Sequence, residues 1–110
     1  MSRMGNGRVH MPKLAKRGDI MEIRAMVQHP MESGFRLDDT GKPIARHIVT
    51  SFSCHYAGRE VLTMRLHPAV SVNPYLTFCL RATESGELTF TWSDDQGGVA
   101  IVSTRLDVVS

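Results

Sequence analysis

Apolar and polar residues alternate through most of this chain, and the alternation predicts β-strands. Over residues 20–28, Met21 and Ile23 fall on one side and Glu22 and Arg24 on the other, which is typical of a strand with one buried side. The same period of two predicts further strands over 48–56, 60–67, 75–82, 88–92 and 99–109, and a short edge strand over 8–11. No segment shows a sustained helical period.

The apolar members of these alternations are the predicted core. They are Met21, Ile23, Ala25, Val27, Ile48, Phe52, Cys54, Tyr56, Leu62, Met64, Leu66, Leu76, Phe78, Leu80, Ala82, Leu88, Phe90, Trp92, Ala100, Val102, Leu106 and Val108. Turn residues separate the strands at 57–59, 83–87 and 94–98. Short strands joined by turns predict an all-β fold, a single immunoglobulin-like antiparallel β-sandwich.

A chain of 110 residues has the length of one domain. Gly5 and Gly7 interrupt any pattern at its start, which predicts a loose N-terminal arm over 1–10, followed by the sandwich over 11–110. Residues 13–18 are polar and lead into a turn at Gly18 and Asp19.

One long connection stands out, because it has no strand pattern. It leaves the first long strand at His29-Pro30, passes through glycines, aspartates and Pro43, and returns to alternation at Ile48. Compact domains rarely keep such a connection unless it binds something or packs on a partner. We therefore expect a role in binding for its first part, which includes Met31 and Phe35.

Composition and charge exclude several classes of partner. The net charge is +2, from 13 Lys and Arg against 11 Asp and Glu, and aromatic residues make up 6% of the chain. No aromatic residue lies among the basic residues near the start, so we expect no nucleic-acid binding. No apolar run approaches the roughly 20 residues of a membrane helix. The first residues lack the apolar stretch of a signal peptide, which taken alone indicates the cytoplasm.

The two cysteines differ in predicted environment. Cys54 alternates with Phe52 and Tyr56 and is predicted to be a small core residue, whereas Cys79 falls on the opposite face of its strand, between Phe78 and Leu80. The opposite parity argues against an intrachain disulfide. Cys79 is therefore exposed or covered by a second protein, and a reactive thiol there is an alternative that stays open.

The residues predict no catalytic, cofactor-binding or metal site. The five histidines lack metal-ligand spacing, and Cys54 and His55 point to opposite faces of one strand. Outward positions, however, are more apolar than a solvated sheet requires: Met26, Tyr75, Thr77, Cys79, Val99 and Ile101. Such a face either binds a protein partner or carries ordinary scattered apolar residues, and both readings stay open.

Several separate motifs occur here in one order. They are Pro12-Lys13, Ala15-Lys16-Arg17-Gly18, the loop from His29 through Pro30-Met31-Glu32-Ser33-Gly34 to Phe35, Leu66-His67-Pro68-Ala69, Asn73-Pro74-Tyr75, Ala82-Thr83-Glu84-Ser85-Gly86, and Leu88-Thr89-Phe90-Thr91-Trp92. From about Met11 onward the chain resembles the SoxZ family, whose members are subunits of the SoxYZ sulfur carrier of bacterial thiosulfate oxidation. The chain ends in Val109-Ser110 without the glycine-flanked cysteine of the SoxY carrier arm, which places the resemblance on the SoxZ side.

The resemblance implies a non-catalytic subunit that forms a heterodimer with SoxY and presents its carrier cysteine to the other Sox enzymes through transient contacts. It also implies a periplasmic location, reached by export bound to SoxY, in place of the cytoplasm. We expect His29, Pro30, Met31, Phe35, Tyr75 and Cys79 to lie at the partner-binding surface. The alternatives are a metal- or thiol-based redox protein on a β-sandwich and a freestanding binding module. Self-association of the isolated chain stays open.

Overall fold

The computed structural model describes residues 7–27, 37–43, 48–66 and 75–110, and these residues form eight β-strands. The strands are β1 (Gly7–His10), β2 (Leu14–Lys16), β3 (Ile20–Val27), β4 (Val49–Tyr56), β5 (Arg59–Arg65), β6 (Tyr75–Arg81), β7 (Gly86–Asp94) and β8 (Val99–Val109). The described part of the chain holds no helix, and so none that could cross a membrane.

The strands form two sheets that pack face to face. One sheet has three strands in the order β1-β3-β6, and the other has five in the order β2-β8-β7-β4-β5. All pairings are antiparallel except that of β2 with β8. The predicted all-β, immunoglobulin-like sandwich is confirmed, with one parallel pair that the alternation did not predict.

The core lies between the inner faces of the two sheets, and its centre is aromatic. Phe52 of β4 lies 5.2 Å from Trp92 and 6.3 Å from Phe90, both on β7, measured between ring centroids. Its ring also meets the edge of Phe78 on β6, at 5.9 Å, which joins the two sheets. The predicted core is confirmed in this region because the period of two fixes which side of a strand faces inward.

The turns that separate the strands also form where the composition places them. Gly58 adopts a φ of +82° between β4 and β5, a conformation that side chains disfavour. In the long connection, Asp38 Oδ1 accepts hydrogen bonds from the backbone N–H of Thr40 and Lys42 at 2.9 and 3.0 Å. A hydrogen bond from the Thr40 hydroxyl, together with these two backbone bonds, lowers the pKa of Asp38 below its usual 3.8. Asp38 is thus a turn residue.

The start of the chain belongs to the sheet. The short edge strand predicted over 8–11 forms as β1, which pairs with β3 from Gly7 opposite Val27 to His10 opposite Arg24. Residues 7–10 of the expected loose arm are therefore part of the sandwich. A Cβ atom at Gly7 would lie 2.6 Å from the ring of Trp92. Gly7 is therefore a packing residue, and the sandwich begins at least four residues earlier than expected.

Two further departures have local causes. The polar stretch 13–18 contains β2, which the alternation missed because only Ala15 of its three residues is buried. In β4, Val49 is buried although it breaks the alternation with Ile48, because the pairing with β7 shifts register between Val49 and Ser51. A bulge of this kind turns successive residues to the same side.

Candidate partner-binding surface

The outer face of the three-stranded sheet carries a mixed set of large side chains. The alternation that buries Ile23 and Ala25 turns the residues between them outward, and the same holds for β1 and β6. The outward residues are Arg8, His10, Ile20, Glu22, Arg24, Met26, Tyr75, Thr77, Cys79 and Arg81. We call this set the Arg24 face.

Strand register arranges these residues in rows across the sheet. Met26 of β3 lies between Arg8 and Tyr75, which form one row. Arg24 lies between His10 and Thr77 in the next row, and Glu22 is opposite Cys79 in a third. Directly opposed side chains have Cβ atoms about 5 Å apart, so neighbours within and between these rows can contact one ligand together.

The rows enclose an open cleft of about 460 Å³ near Arg24. Its lining combines thioether, aromatic, cationic and anionic side chains: His10, Met11, Glu22, Arg24, Met26 and Tyr75. Tyr75 is 43% exposed at the start of β6. The cleft therefore offers apolar surface together with charged hydrogen-bonding groups in one place.

The guanidinium of Arg24 is held by one carboxylate. Its Nε donates to Glu22 Oε1 at 2.8 Å, and both side chains are about half exposed. The hydrogen bond and charge of Glu22, followed by Tyr75, raise the pKa of Arg24 above its usual value. An ion pair this exposed contributes little to stability. It fixes the guanidinium through Nε and leaves the N–H groups of both terminal nitrogens outside the pair.

The two cysteines lie in different environments, as predicted from their parity. Cys54 is fully buried, and burial raises the pKa of its thiol to about 11. At neutral pH it is a protonated core side chain. Cys79 is exposed on the Arg24 face, and both thiols are free. The two belong to different sheets, with Cys54 inside and Cys79 outside.

The predicted binding residues divide between described and masked parts of the chain. Tyr75 and Cys79 lie on the Arg24 face, two positions before and two positions after Thr77 in β6. His29, Pro30, Met31 and Phe35 lie outside the described residues. They follow Val27 in the chain, and β3 ends beside the start of β6, where Met26 pairs with Tyr75.

The outward apolar residues that were expected to share one outer face lie on two different sheets. Met26, Tyr75, Thr77 and Cys79 belong to the three-stranded sheet, whereas Val99 and Ile101 belong to β8 in the other sheet. The expectation is wrong because alternation tells outward from inward but does not tell which sheet a strand joins.

The structure also adds residues that the sequence reasoning did not single out. His10 and Arg24 lie in the same row, beside Met26, and help to line the cleft. Each sits at an alternate position of a predicted strand. Charged residues at such positions resemble an ordinary solvated face, so only the register brings them together.

The outer face of the five-stranded sheet is different in character. Its central positions carry hydroxyl groups: Ser51, Ser53, Thr63, Thr89, Thr91, Ser93 and Ser103. Thr89 and Ser103 lie within 3.5 Å of each other across β7 and β8. The exposed large aliphatic side chains of this sheet are Leu14 on β2, Val61 on β5, and Val99, Ile101 and Val109 on β8. We call this set the hydroxyl face.

Metal ligands do not cluster within the described ranges. No group of three His, Cys, Asp or Glu side chains there could hold a metal ion. His29, His47 and His67 lie outside those ranges.

Solved structures with the same fold include enzymes and a sulfur carrier. A putative superoxide reductase from Thermotoga maritima is 15% identical, with a TM-score of 0.75, over 96% of this chain and 87% of that chain. The superoxide reductase (neelaredoxin) of Ignicoccus hospitalis is 16% identical, with a TM-score of 0.72, over 96% and 82%. The sulfur carrier protein SoxY from Chlorobium limicola f thiosulfatophilum is 13% identical, with a TM-score of 0.67, over 96% and 80%. At these identities the likeness establishes the fold.

Sequence relationships are more specific. A search of the curated proteins found no match. The family model of the sulphur oxidation protein SoxZ, however, matches residues 9–104, which is most of the chain and includes every described strand from β2 to β7. The chain belongs to the SoxZ family of sulphur oxidation proteins.

Proposed function

We propose that this chain is the non-catalytic subunit of a SoxYZ-type sulfur carrier in thiosulfate oxidation. It binds a SoxY protein as a heterodimer and helps to present the carrier cysteine of SoxY to the other Sox enzymes. The observation that carries the proposal is the SoxZ family match over residues 9–104. The composition of the Arg24 face also supports a role in binding rather than catalysis, because Tyr75, Met26 and Arg24 are of residue types that are enriched in protein interfaces.

The cysteines of this chain fit a supporting role. Cys54 is buried, with the pKa of its thiol raised to about 11, so it is a poor nucleophile at neutral pH. The second of the chain's two cysteines is Cys79. We propose that sulfur is carried by the partner, and that the complex works in the periplasm after export together with SoxY.

Co-purification with the partner tests this proposal. The untagged chain is expressed with a tagged SoxY from the same source, and the complex is captured on the tag. It is incubated with thiosulfate and the Sox cytochrome that couples thiosulfate to SoxY, because joining a thiol to thiosulfate is a two-electron oxidation and needs an oxidant. The intact complex is then weighed under non-reducing conditions. We expect a one-to-one complex with the added sulfur mass on SoxY. A SoxY with its carrier cysteine changed to serine is the control, and it should bind without gaining mass. No complex, or added mass on this chain, contradicts the proposal.

A second candidate function is superoxide reduction, favoured by the TM-scores of 0.75 and 0.72 with structures of that name. It requires a redox centre in this chain. Elemental analysis of the purified protein and an assay of superoxide consumption distinguish the two functions. A stoichiometric transition metal with activity would favour the second candidate, and a metal-free chain that binds SoxY favours the first.

A further inference from the structure

We infer that SoxY docks on the Arg24 face, with an acidic side chain of SoxY inserted in the cleft against Arg24. This inference rests on the proposed function, since it names the surface and the chemistry by which the partner is bound. It goes further in choosing one of the two outer faces. It also assigns the central contact to a carboxylate of the partner.

Residue type separates the two faces. Interface residues that contribute most to binding are enriched in Tyr, Trp and Arg, whereas Ser, Thr and Val are under-represented among them. The Arg24 face presents Tyr75, Met26, Arg24 and Arg8 on neighbouring strands. The hydroxyl face presents mainly serine and threonine and no aromatic or methionine side chain at its described outward positions. It also carries three exposed aliphatic side chains and Arg105 on β8, and Arg65 on β5. The Arg24 face therefore has the composition of an interface centre.

Charge favours an acidic side chain as the occupant of the cleft. The Arg24 face holds three arginines, Arg8, Arg24 and Arg81, against one carboxylate, Glu22. Glu22 bonds to Nε of Arg24, and Tyr75 also hydrogen bonds to this side chain. The two terminal nitrogens carry four N–H groups, so a second carboxylate can still bond to them in the bidentate manner that guanidinium favours. Met26 and the ring of Tyr75 line the same cleft and would shield that contact from water.

The Arg24 face alone is too small to form a whole stable interface. β3 and β6 are about 25 Å long and β1 is about 13 Å long. At a spacing of about 4.8 Å the three strands give a flat footprint of roughly 300 Å², against about 800 Å² per partner in a stable complex. The partner must therefore also contact residues outside this sheet. The Arg24 face is the centre of the interface, and its loss should weaken binding strongly.

A pair of matched threonine variants tests the location. Thr77 lies exposed on β6 in the Arg24 face, and Thr63 lies exposed on β5 in the hydroxyl face. Both threonines face outward. Among the described residues, β6 and β5 are each hydrogen-bonded to a single neighbouring strand. Binding to SoxY is measured by calorimetry under reducing conditions. We expect Thr77→Arg to weaken binding at least about 100-fold, because its long side chain beside Arg24 would keep SoxY from packing closely on the face, and Thr63→Arg to leave it unchanged.

A pair of arginine variants tests the chemistry. Arg24 and Arg105 are both exposed strand residues that donate through Nε to a carboxylate two positions away, Glu22 at 2.8 Å and Asp107 at 3.3 Å. Arg24→Gln should weaken binding roughly 10-fold or more, the size of a hydrogen bond to a charged group. Arg105→Gln should bind as the unmodified chain does. Thermal unfolding of all four variants checks that each is folded.

The outcomes separate this inference from the proposed function. If the unmodified chain binds SoxY, and Thr63→Arg and Arg105→Gln are the variants that weaken binding, the docking face is wrong while the function stands. If Thr77→Arg weakens binding but Arg24→Gln does not, the acidic contact is wrong. If Thr77→Arg only dissociates a homodimer of this chain, the face binds a second copy and the inference is overturned. If the unmodified chain forms no complex, both proposals fail.

Discussion

The hydroxyl of Tyr56 donates a hydrogen bond to the backbone carbonyl of Glu84, across the gap between β4 and the connection from β6 to β7. The same oxygen accepts the backbone N–H groups of Thr83 and Glu84, at 3.2 and 3.0 Å. The ring of Tyr56 is buried at the end of the core. One side chain thereby provides hydrogen-bond partners for the backbone of the connection that crosses from one sheet to the other.

Removing this hydroxyl should destabilise the sandwich. In Tyr56→Phe the carbonyl of Glu84 and two N–H groups lose their partner, so we expect a loss of about 1–3 kcal/mol in the free energy of unfolding. Urea unfolding followed by the fluorescence of the single tryptophan measures it. Tyr75→Phe is the control, because the Tyr75 side chain lies on the exposed outer face, and it should change stability by less than about 0.5 kcal/mol. Equal effects would contradict the assigned role.

Gly7 and Trp92 should show coupled effects on stability. A Cβ at Gly7 would lie 2.6 Å and 3.1 Å from the Cζ3 and Cη2 atoms of Trp92, the six-membered part of the indole. Gly7→Ala should therefore cost about 1–3 kcal/mol through overpacking. In a Trp92→Phe background those atoms are absent, and the added cost of Gly7→Ala should fall.

A double-mutant cycle measured by circular dichroism in urea isolates this coupling. We expect the double variant to be more stable than the sum of the single changes predicts, by more than about 0.5 kcal/mol. The indole N–H of Trp92 has no acceptor within the described structure, so Trp92→Phe leaves no hydrogen-bond acceptor without its donor. Additive effects would mean that β1 does not pack on the indole.

The core could be predicted from the sequence because strand parity is a local property. Ile23 and Phe90 alternate with polar neighbours, and each is buried without regard to which strands lie beside it. Parity fails where local geometry breaks it, as at Val49 beside the bulge. It also fails where the segment is too short to show a pattern, as at Ala15 in β2.

The Arg24 face could not be predicted in the same way. Its cleft exists because β1 and β6 flank β3, which places His10 beside Arg24 and Tyr75 beside Met26. That order joins β1 and β3, near the start of the chain, to β6, which begins only at Tyr75, and no local pattern specifies it. Tyr75 and Cys79 were singled out because they are apolar, whereas charged Arg24 looked like a solvated residue.

Stability should fall in alkaline solution through the thiol of Cys54. Burial raises the pKa of this thiol from 9.0 to about 11, so the folded chain holds the proton more tightly than the unfolded chain. The resulting stabilisation is complete below pH 9 and is lost as the pH rises toward 11. A shift of about two pH units corresponds to about 3 kcal/mol.

Urea unfolding between pH 8 and pH 11 measures this loss. Cys54→Ala is the comparison: it is less stable at pH 8 because it leaves a cavity, but it should show a shallower decline with pH. Parallel pH profiles for the two proteins would assign the alkaline loss to other groups.

The two thiols should differ in reactivity toward an alkylating reagent. Cys79 is exposed and Cys54 is fully buried, so iodoacetamide should add once to the folded chain at neutral pH and twice in urea, as counted by intact mass. Cys79→Ser should remove the adduct on the folded chain and keep one in urea. Cys79 also lies on the Arg24 face, so a saturating SoxY with its own cysteine changed to serine should protect it from alkylation. Rapid double alkylation of the folded chain would contradict the burial of Cys54. Unprotected Cys79 in a formed complex would place the partner elsewhere.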